Sequence, residues 1–138
     1  MDDQVLIEQL NAHAPGFISM LGGRLVAIDR KEQSCTFEFS IGTDFCHSID
    51  VVQGGFVTSM LDAAMSHAVF AAGEGIVSAS SLAINTSYME TTRAGRLRAV
   101  GRVVKSSHKT VFLEGHLYNE EGRLTATTSA VAKLTRKS

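Results

Sequence analysis

The chain has 138 residues, of which 44% are hydrophobic and 20% charged, and 13 Lys+Arg against 14 Asp+Glu give a formal net charge of −1. This length suits a single domain over residues 1–138, and the even mixture of charged and apolar residues excludes a disordered chain. Because there is no basic excess, the composition also argues against binding to a nucleic-acid backbone.

The first third of the chain is predicted to contain a helix and two strands. An amphipathic helical pattern ends at Pro15-Gly16, so residues 1–16 form an N-terminal helical segment. Farther on, the run SCTFEFSI alternates apolar and polar residues as a strand does, and the short charged link before it suits a hairpin turn. The predicted elements are a helix over residues 2–14, an apolar patch over 17–21, strands over 24–29 and 34–41, and a loop over 42–52.

The rest of the chain is predicted to be one long helix followed by four strands. Residues 54–72 are nearly all apolar, and beyond them the apolar period changes from helical to strand-like. Six strands with short links favour an antiparallel sheet in an α+β domain. A helix that is apolar on all sides must be wrapped by a curved sheet, covered by a second subunit, or both. The predicted strands cover residues 76–88, 96–105, 110–119 and 123–134, and a frayed polar tail follows over 135–138.

The cysteines and the first residues indicate a cytoplasmic protein. Cys35 and Cys46 do not make a disulfide framework, and the opening MDDQVLIEQL lacks the basic region and long apolar core of a signal peptide. Residues 51–73 are apolar enough to resemble a membrane span, but Asp62 lies near their middle. A charge at the centre of a bilayer is costly, so we expect a buried helix and no membrane partner.

Asp62 is the most informative residue because it is the only charged side chain within the 54–72 helix. A buried carboxylate is costly unless it is hydrogen-bonded or opens onto a wet pocket. It is therefore either a structural acid satisfied by helix neighbours or a nucleophile or general base, and we favour the second because such acids cluster at functional sites. His67 lies about 140° farther round the helix, so it cannot share the polar stripe of Asp62 and is expected to be a core or interface residue. The helix neighbours able to satisfy Asp62 are Thr58, Ser59 and Ser66.

Gly54-Gly55 at the helix start provides backbone N–H groups suited to a polarised carbonyl, although a tight turn would also explain the pair. Gly54 and Asp62 are eight residues apart, which is about 12 Å along a helix axis. One carbonyl carbon cannot be held by the Gly54 N–H while it touches Asp62 of the same helix. The sequence therefore predicts a dimer in which two antiparallel helices form composite sites.

The sequence motifs of serine hydrolases, metal sites and nucleotide-binding sites are absent. The sequence contains no G-x-S-x-G, no H-E-x-x-H, no nucleotide-binding glycine motif and no metal-ligand spacing among its five histidines. We therefore expect neither a metal nor a nucleotide cofactor. The polar loop over residues 106–109 is either a solvated turn or a set of donors for a phosphorylated ligand.

The run Gln53-Gly54-Gly55-Phe56, followed by Leu61-Asp62-Ala63-Ala64, resembles the HGG…LxD signature of hotdog-fold acyl-CoA thioesterases, in particular the PaaI-like branch. The resemblance continues through residues 82–89, 101–105, 107–110 and 121–124 and covers residues 17–134. It implies a hotdog fold, in which an antiparallel sheet wraps a long central helix. It also implies paired active sites shared by two subunits, often within a tetramer.

The resemblance also implies roles for individual residues. Asp62 matches the catalytic acid, Gly54 the glycine whose N–H polarises the thioester carbonyl, and Ser81 a position that holds water or the carbonyl. Two residues depart from the family pattern: Gln53 replaces its histidine and His47 replaces its asparagine, and both are predicted to be catalytic helpers. The positions expected to contact substrate are Gly55, Ser59, Ser80 and the phosphate-binding His108 and Lys109.

These inferences predict an enzyme that hydrolyses an aryl- or medium-chain acyl-CoA, with coenzyme A present only as part of the substrate. We expect a homo-oligomer, a dimer or a tetramer. Two alternatives remain open at this point. One is a non-catalytic acyl-CoA-binding module with decayed chemistry, and the other is a hotdog enoyl-CoA hydratase.

Overall fold

A computed structural model describes residues 2–73 and 75–138. The helices in these residues are α1 (Asp3–Ala12), α2 (Gly16–Met20) and α3 (Gly54–Ala72). The strands are β1 (Gly23–Asp29), β2 (Ser34–Ile41), β3 (Cys46–Ser48), β4 (Val51–Val52), β5 (Ile76–Tyr88), β6 (Gly95–Ser106), β7 (Thr110–Tyr118) and β8 (Leu124–Arg136). The long helix and β5 have the predicted bounds.

Six strands form one antiparallel sheet in the order β1-β2-β6-β7-β8-β5, and β3 pairs with β4 in a separate ribbon. Helix α3 packs across the inner face of the sheet, against β6, β2, β7 and β5. A long central helix on one antiparallel sheet is the hotdog fold, so the predicted fold class is confirmed. The sheet can curve because four of its strand pairings contain bulges or register shifts.

The alternation of apolar and polar residues along each strand determines which face of the sheet packs against α3. In β2, Cys35, Phe37 and Phe39 are buried and the residues between them are partly exposed. The facing side of α3 buries residues such as Met60, Leu61 and Met65, so sheet and helix share one core. The Cys35 thiol donates to the Ala64 carbonyl at 3.1 Å, and burial raises its pKa to about 12.

Two glycines let the helix approach the sheet closely. A Cβ atom on Gly101 of β6 would lie 2.2 Å from the Ala64 carbonyl oxygen and 2.5 Å from the Met65 nitrogen of α3. A Cβ atom on Gly115 of β7 would lie 3.2 Å from Cγ of Met65 and 3.3 Å from Cδ2 of Leu61 on the same helix. The position of Gly101 fits only glycine, since its neighbour is backbone that cannot rotate away.

The N-terminal segment packs on β1. Asp2 caps α1 by accepting a hydrogen bond from the Gln4 N–H at 2.7 Å. The Asn11 side chain donates to the Leu25 carbonyl and accepts from the Leu25 N–H, at 2.9 and 2.8 Å, next to a register shift in β1. The predicted apolar patch over residues 17–21 is largely the short helix α2, whose Ile18 is buried.

Two regions differ from prediction. The expected loop over residues 42–52 contains a 3₁₀ turn and the β3–β4 ribbon, which are too short to leave a periodic signal. The predicted frayed tail over residues 135–138 is wrong for its first half, because β8 continues to Arg136. Thr135 pairs there with Ser78, and Arg136 pairs with Ile76. The extra pairing partner comes from tertiary structure, which the polar composition of the tail did not indicate. Within residues 2–73 and 75–138, no helix has the length and hydropathy of a membrane span.

Candidate active site

Asp62 lies on the side of α3 that the sheet leaves uncovered. The stripe formed by Gly55, Ser59, Asp62 and Ser66 runs along this side, and each residue is partly or fully exposed in the protomer. The carboxyl group is thus half-buried, which corrects the expectation of a fully buried acid. The helix is not wrapped on all sides within one protomer, so its polar stripe faces outward.

Ser81 of β5 fixes the orientation of the Asp62 carboxylate. Its hydroxyl donates to Oδ1 at 2.8 Å, while the Ser66 hydroxyl is farther away at 3.4 Å. The register of β5 shifts between Ser81 and Ala83, a type of irregularity that re-aims side chains next to functional sites. Oδ2 of Asp62 accepts no hydrogen bond from any residue of the described chain. One oxygen is therefore held in place and the other is free for a reaction partner.

The other expected neighbours of Asp62 bond elsewhere. Ser59 donates back to the Gly55 carbonyl at 2.9 Å. Thr58 lies 2.9 Å from the Thr86 hydroxyl and 2.8 Å from the Tyr88 hydroxyl. Of the three residues predicted to satisfy Asp62 from its own helix, only Ser66 reaches it.

Gly54 occupies the first helical position of α3, after Gln53 in extended conformation. In the described part of the chain no acceptor receives the Gly54 N–H, as is usual for the first turn of a helix. The Tyr88 hydroxyl donates to the Gly54 carbonyl at 2.9 Å, and a Cβ atom on Gly54 would lie 3.1 Å from that ring. The Gly54 N–H is therefore available to donate to an oxyanion. The Tyr88 hydroxyl bonds to the carbonyl oxygen of the same residue and so restrains Gly54.

Tyr88 belongs to a chain of hydroxyl groups in which each group donates a hydrogen bond to the next. The sequence analysis did not predict this chain. A carbonyl oxygen can only accept, so the single Tyr88 proton goes to Gly54. Thr58 must then donate to Tyr88, and Thr86 must donate to Thr58. No local sequence pattern marks these residues, because the chain joins α3 to β5 across 28 to 34 positions.

The predicted helpers Gln53 and His47 lie at the Gly54 end of the helix. His47, exposed on β3, lines a cavity of about 280 Å³ together with Gly54 and Tyr88. Gln53 is exposed, and its backbone N–H donates to the Phe45 carbonyl at 2.9 Å. The structure thus gathers His47, Gln53 and Gly54 at one end of α3 and keeps them apart from Asp62.

The remaining predicted substrate contacts are spread over the sheet. Ser80 is exposed, and because neighbouring strand residues point to opposite faces, it points away from the Asp62 side of β5. His108 and Lys109 lie on the exposed turn between β6 and β7, which Arg136 holds through a bond of 2.8 Å to the His108 carbonyl. Thr110, just after this turn, pairs with Lys133, which pairs with Ser80. The turn therefore lies at the level of Ser80, two strands away, roughly 10 Å across the sheet.

A cavity of about 540 Å³ opens beside Asp62, between α3, the start of β5 and the N-terminal helices. His67 does not share the polar stripe of Asp62, as expected, and its ring packs against the buried Phe37 with centroids 5.0 Å apart. It still borders the same cavity as Asp62, because α1 and α2 enclose a space wide enough to meet both side chains. Among the described residues, no group of three His, Cys, Asp or Glu side chains could hold a metal ion.

Comparison with known proteins decides the family. A family model of the thioesterase superfamily matches residues 50–126, which include α3 with Gly54 and Asp62. The chain belongs to the thioesterase superfamily. This thioesterase is a thioester hydrolase with the predicted PaaI-like hotdog architecture. A search of curated proteins found no match.

Solved structures agree with that assignment. A phenylacetic acid degradation-related protein from Ralstonia eutropha is 29% identical, with a TM-score of 0.82 over 91% of this chain and 96% of that one. The PaaI protein of Escherichia coli has a TM-score of 0.84 at 16% identity, covering 97% of this thioesterase and 94% of its own chain. A thioesterase from Haemophilus influenzae has a TM-score of 0.81 at 16% identity, covering 99% and 92%. The last two likenesses establish the fold.

Proposed function

We propose that this thioesterase hydrolyses an acyl-CoA to a carboxylic acid and free coenzyme A, with the Asp62 carboxylate as the general base. The observation that carries the proposal is the Asp62 carboxylate, held at Oδ1 by Ser81 and unbonded at Oδ2, at the mouth of the cavity described above. Oδ2 takes a proton from water as the water oxygen attacks the thioester carbonyl carbon. The tetrahedral intermediate then collapses, the C–S bond breaks, and the thiolate takes up the proton.

The oxyanion of that intermediate needs a donor that one protomer does not place next to Asp62. Gly54 supplies an unpaired N–H at the start of a helix, where the dipole favours negative charge. It lies about two helical turns from Asp62 on the same helix, so the donor in our proposal is Gly54 of a second copy. The same geometry supports a homodimer, whose further pairing into a tetramer remains an expectation from the family.

A group of exposed basic residues supports coenzyme A as the leaving group. The turn with His108 and Lys109 is exposed, and Lys133 and Lys137 add exposed cations at the same end of β8. Lysine ammonium groups in such a cluster suit the phosphates of a nucleotide-bearing thiol.

The Ralstonia eutropha relative is named for phenylacetic acid degradation, which supports an aromatic acyl group as the first substrate to try.

The test is release of free thiol from aryl- and alkyl-CoA substrates by the wild type and matched variants. Asp62→Asn keeps an acceptor for Ser81 but loses the base, so kcat should fall by roughly 100-fold or more. Gly54→Pro removes the N–H at a helix position where proline is tolerated, and should lower kcat by about 100-fold. Gly54→Ala is the control, because it adds the same Cβ toward Tyr88 and keeps the N–H.

The outcomes separate the rival functions. Thiol release that survives Asp62→Asn would refute the assigned role of that residue. Binding of acyl-CoA without turnover would instead identify a binding module, and formation of a hydroxyacyl-CoA from an enoyl-CoA without thiol release would identify a hydratase.

A further inference from the structure

The start of α3 needs support from outside the helix if Gly54 is to act as a donor. Gly54 and Gly55 are the first two residues of α3, and glycine has more backbone freedom than any other residue. The preceding Gln53 gives the helix no side-chain capping hydrogen bond, and helix ends fray. A group that stabilises an oxyanion must already point at the place where the charge develops. The first turn of α3 therefore requires a further restraint.

Tyr88 of β5 provides this restraint. Its hydroxyl donates to the Gly54 carbonyl at 2.9 Å, and its ring lies against Gly54, where an added Cβ atom would be 3.1 Å from Cζ of the ring. The preceding peptide is held within the helix, because the Gln53 carbonyl accepts from the Phe56 and Val57 N–H groups at 3.0 and 3.2 Å. Both peptides that flank the Gly54 Cα atom are thus hydrogen-bonded, and the bond from Tyr88 ties this turn to the sheet.

The hydroxyl chain commits the Tyr88 proton to Gly54. Thr58 of α3 lies 2.8 Å from the Tyr88 hydroxyl, and Thr86 of β5 lies 2.9 Å from Thr58. Since Tyr88 donates its single proton to a carbonyl, Thr58 donates to Tyr88 and Thr86 donates to Thr58. Hydrogen bonds in such a chain strengthen one another. Tyr88 has no second proton to offer a substrate, so it acts on the reaction through Gly54.

Strand β5 thus orients both groups of the proposed mechanism. Ser81 on this strand holds Oδ1 of Asp62 at 2.8 Å, and Tyr88, the last residue of the same strand, holds Gly54. We propose that Tyr88 is a positioning residue that keeps the Gly54 N–H aimed at the oxyanion. The proposal rests on the acyl-CoA thioesterase function proposed above, in which Gly54 is the oxyanion donor.

Tyr88→Phe tests the hydroxyl group while keeping the ring against Gly54. The oxyanion exists only beyond the ground state, so a loosened donor weakens transition-state binding and leaves substrate binding nearly unchanged. We expect kcat to fall by roughly 5- to 10-fold, with KM within about 2-fold of the wild type. Tyr118→Phe is the matched control and should keep the wild-type kcat. Tyr118 is the chain's other tyrosine and lies on β7, where it stacks on His116.

A double-variant experiment distinguishes positioning from a merely structural role. Gly54→Pro removes the N–H that Tyr88 is proposed to position. In that background Tyr88→Phe should change kcat by less than about 2-fold, whereas two independent effects would multiply. The full loss of Tyr88→Phe in the Gly54→Pro background would overturn the proposal, because Tyr88 would then act through another group.

A measurement without substrate separates the hydrogen bond from the activity. The carbonyl carbon resonance of Gly54 responds to the hydrogen bond that this carbonyl accepts, so it should move in Tyr88→Phe and stay in place in Tyr118→Phe. An unmoved resonance, or an unchanged kcat in Tyr88→Phe beside an active wild type, would overturn the role of Tyr88 and leave the thioesterase function intact. If the wild type releases no thiol from any acyl-CoA, the proposed function itself fails, and the role of Tyr88 in it fails too.

Discussion

At the scale of single residues, the candidate site depends on how the Asp62 carboxylate is oriented by its hydrogen-bond partner. Asp62 stands out in the sequence because it is the only charge in an apolar helix. What the sequence could not show is that its partner comes from β5, 19 positions later, and not from the neighbouring turns of α3. The Ser81 bond holds Oδ1, so in the proposed mechanism Oδ2 is the reactive oxygen and Ser81 is a positioning residue for Asp62.

Ser81→Ala should therefore impair turnover more than folding. Without the donor, the Asp62 side chain can rotate, and we expect kcat to fall by about 10-fold with KM nearly unchanged. Ser81 is exposed in the protomer, so the free energy of unfolding should change by less than about 0.5 kcal/mol. Steady-state kinetics and urea denaturation measure the two effects. Ser129→Ala, at an exposed position of β8, is the control, and an unchanged kcat in Ser81→Ala would contradict the positioning role.

At the scale of elements, the contact between α3 and β6 sets the height of the helix above the sheet. Gly101 meets backbone atoms of Ala64 and Met65, which cannot move without moving the whole helix. Gly115 on the neighbouring strand meets side chains instead, which are softer neighbours. The helix that carries both Gly54 and Asp62 is thus positioned by a glycine on the sheet.

Gly101→Ala should destabilise the protein by about 3 kcal/mol, because the added methyl group would overlap the helix backbone. Urea denaturation should show the loss as a lower transition midpoint with a similar slope. Gly42→Ala provides the comparison, since a Cβ atom there meets no heavy atom within 4 Å. Equal stability losses in the two variants would disprove the close approach of helix and sheet.

Which elements could be predicted depended on how local their causes are. The bounds of α3 follow from a long, mostly apolar run, and those of β2 follow from clean alternation of apolar and polar residues. The β3–β4 ribbon, the end of β8 and the cavity with His67 depend on contacts between distant segments, which leave no periodic trace. The role expected for Ser81 came only from resemblance to a family, since a lone serine has many structural uses. The N–H of Gly54 was a candidate donor from its place at the helix start, although a tight turn would also explain the Gly-Gly pair.

At the scale of the whole molecule, one protomer keeps the two parts of the proposed site apart. Asp62 lies in the middle of α3, where Ser81 bonds to it, while Gly54, His47 and Gln53 lie near the start of the helix. Strand β5 is at the edge of the sheet, and its neighbourhood exposes large apolar side chains. They are Val77 at 52% exposure, Leu82 at 64%, Tyr88 at 55% and Met89 at 58%. An exposed edge strand beside a half-site favours association with a second copy, which would complete both sites at once.

Complementation between two inactive variants tests this shared site directly. In a mixed dimer of Asp62→Asn with Gly54→Pro, one site pairs the intact Asp62 of one chain with the intact Gly54 of the other, and the second site carries both defects. Random reassociation of equal amounts makes half of the dimers mixed, so mixing should restore about a quarter of wild-type activity. Thiol release after co-refolding measures the recovery, and sedimentation confirms that mixed dimers form. If each site used Asp62 and Gly54 of the same chain, every chain would carry one defect and mixing would restore nothing.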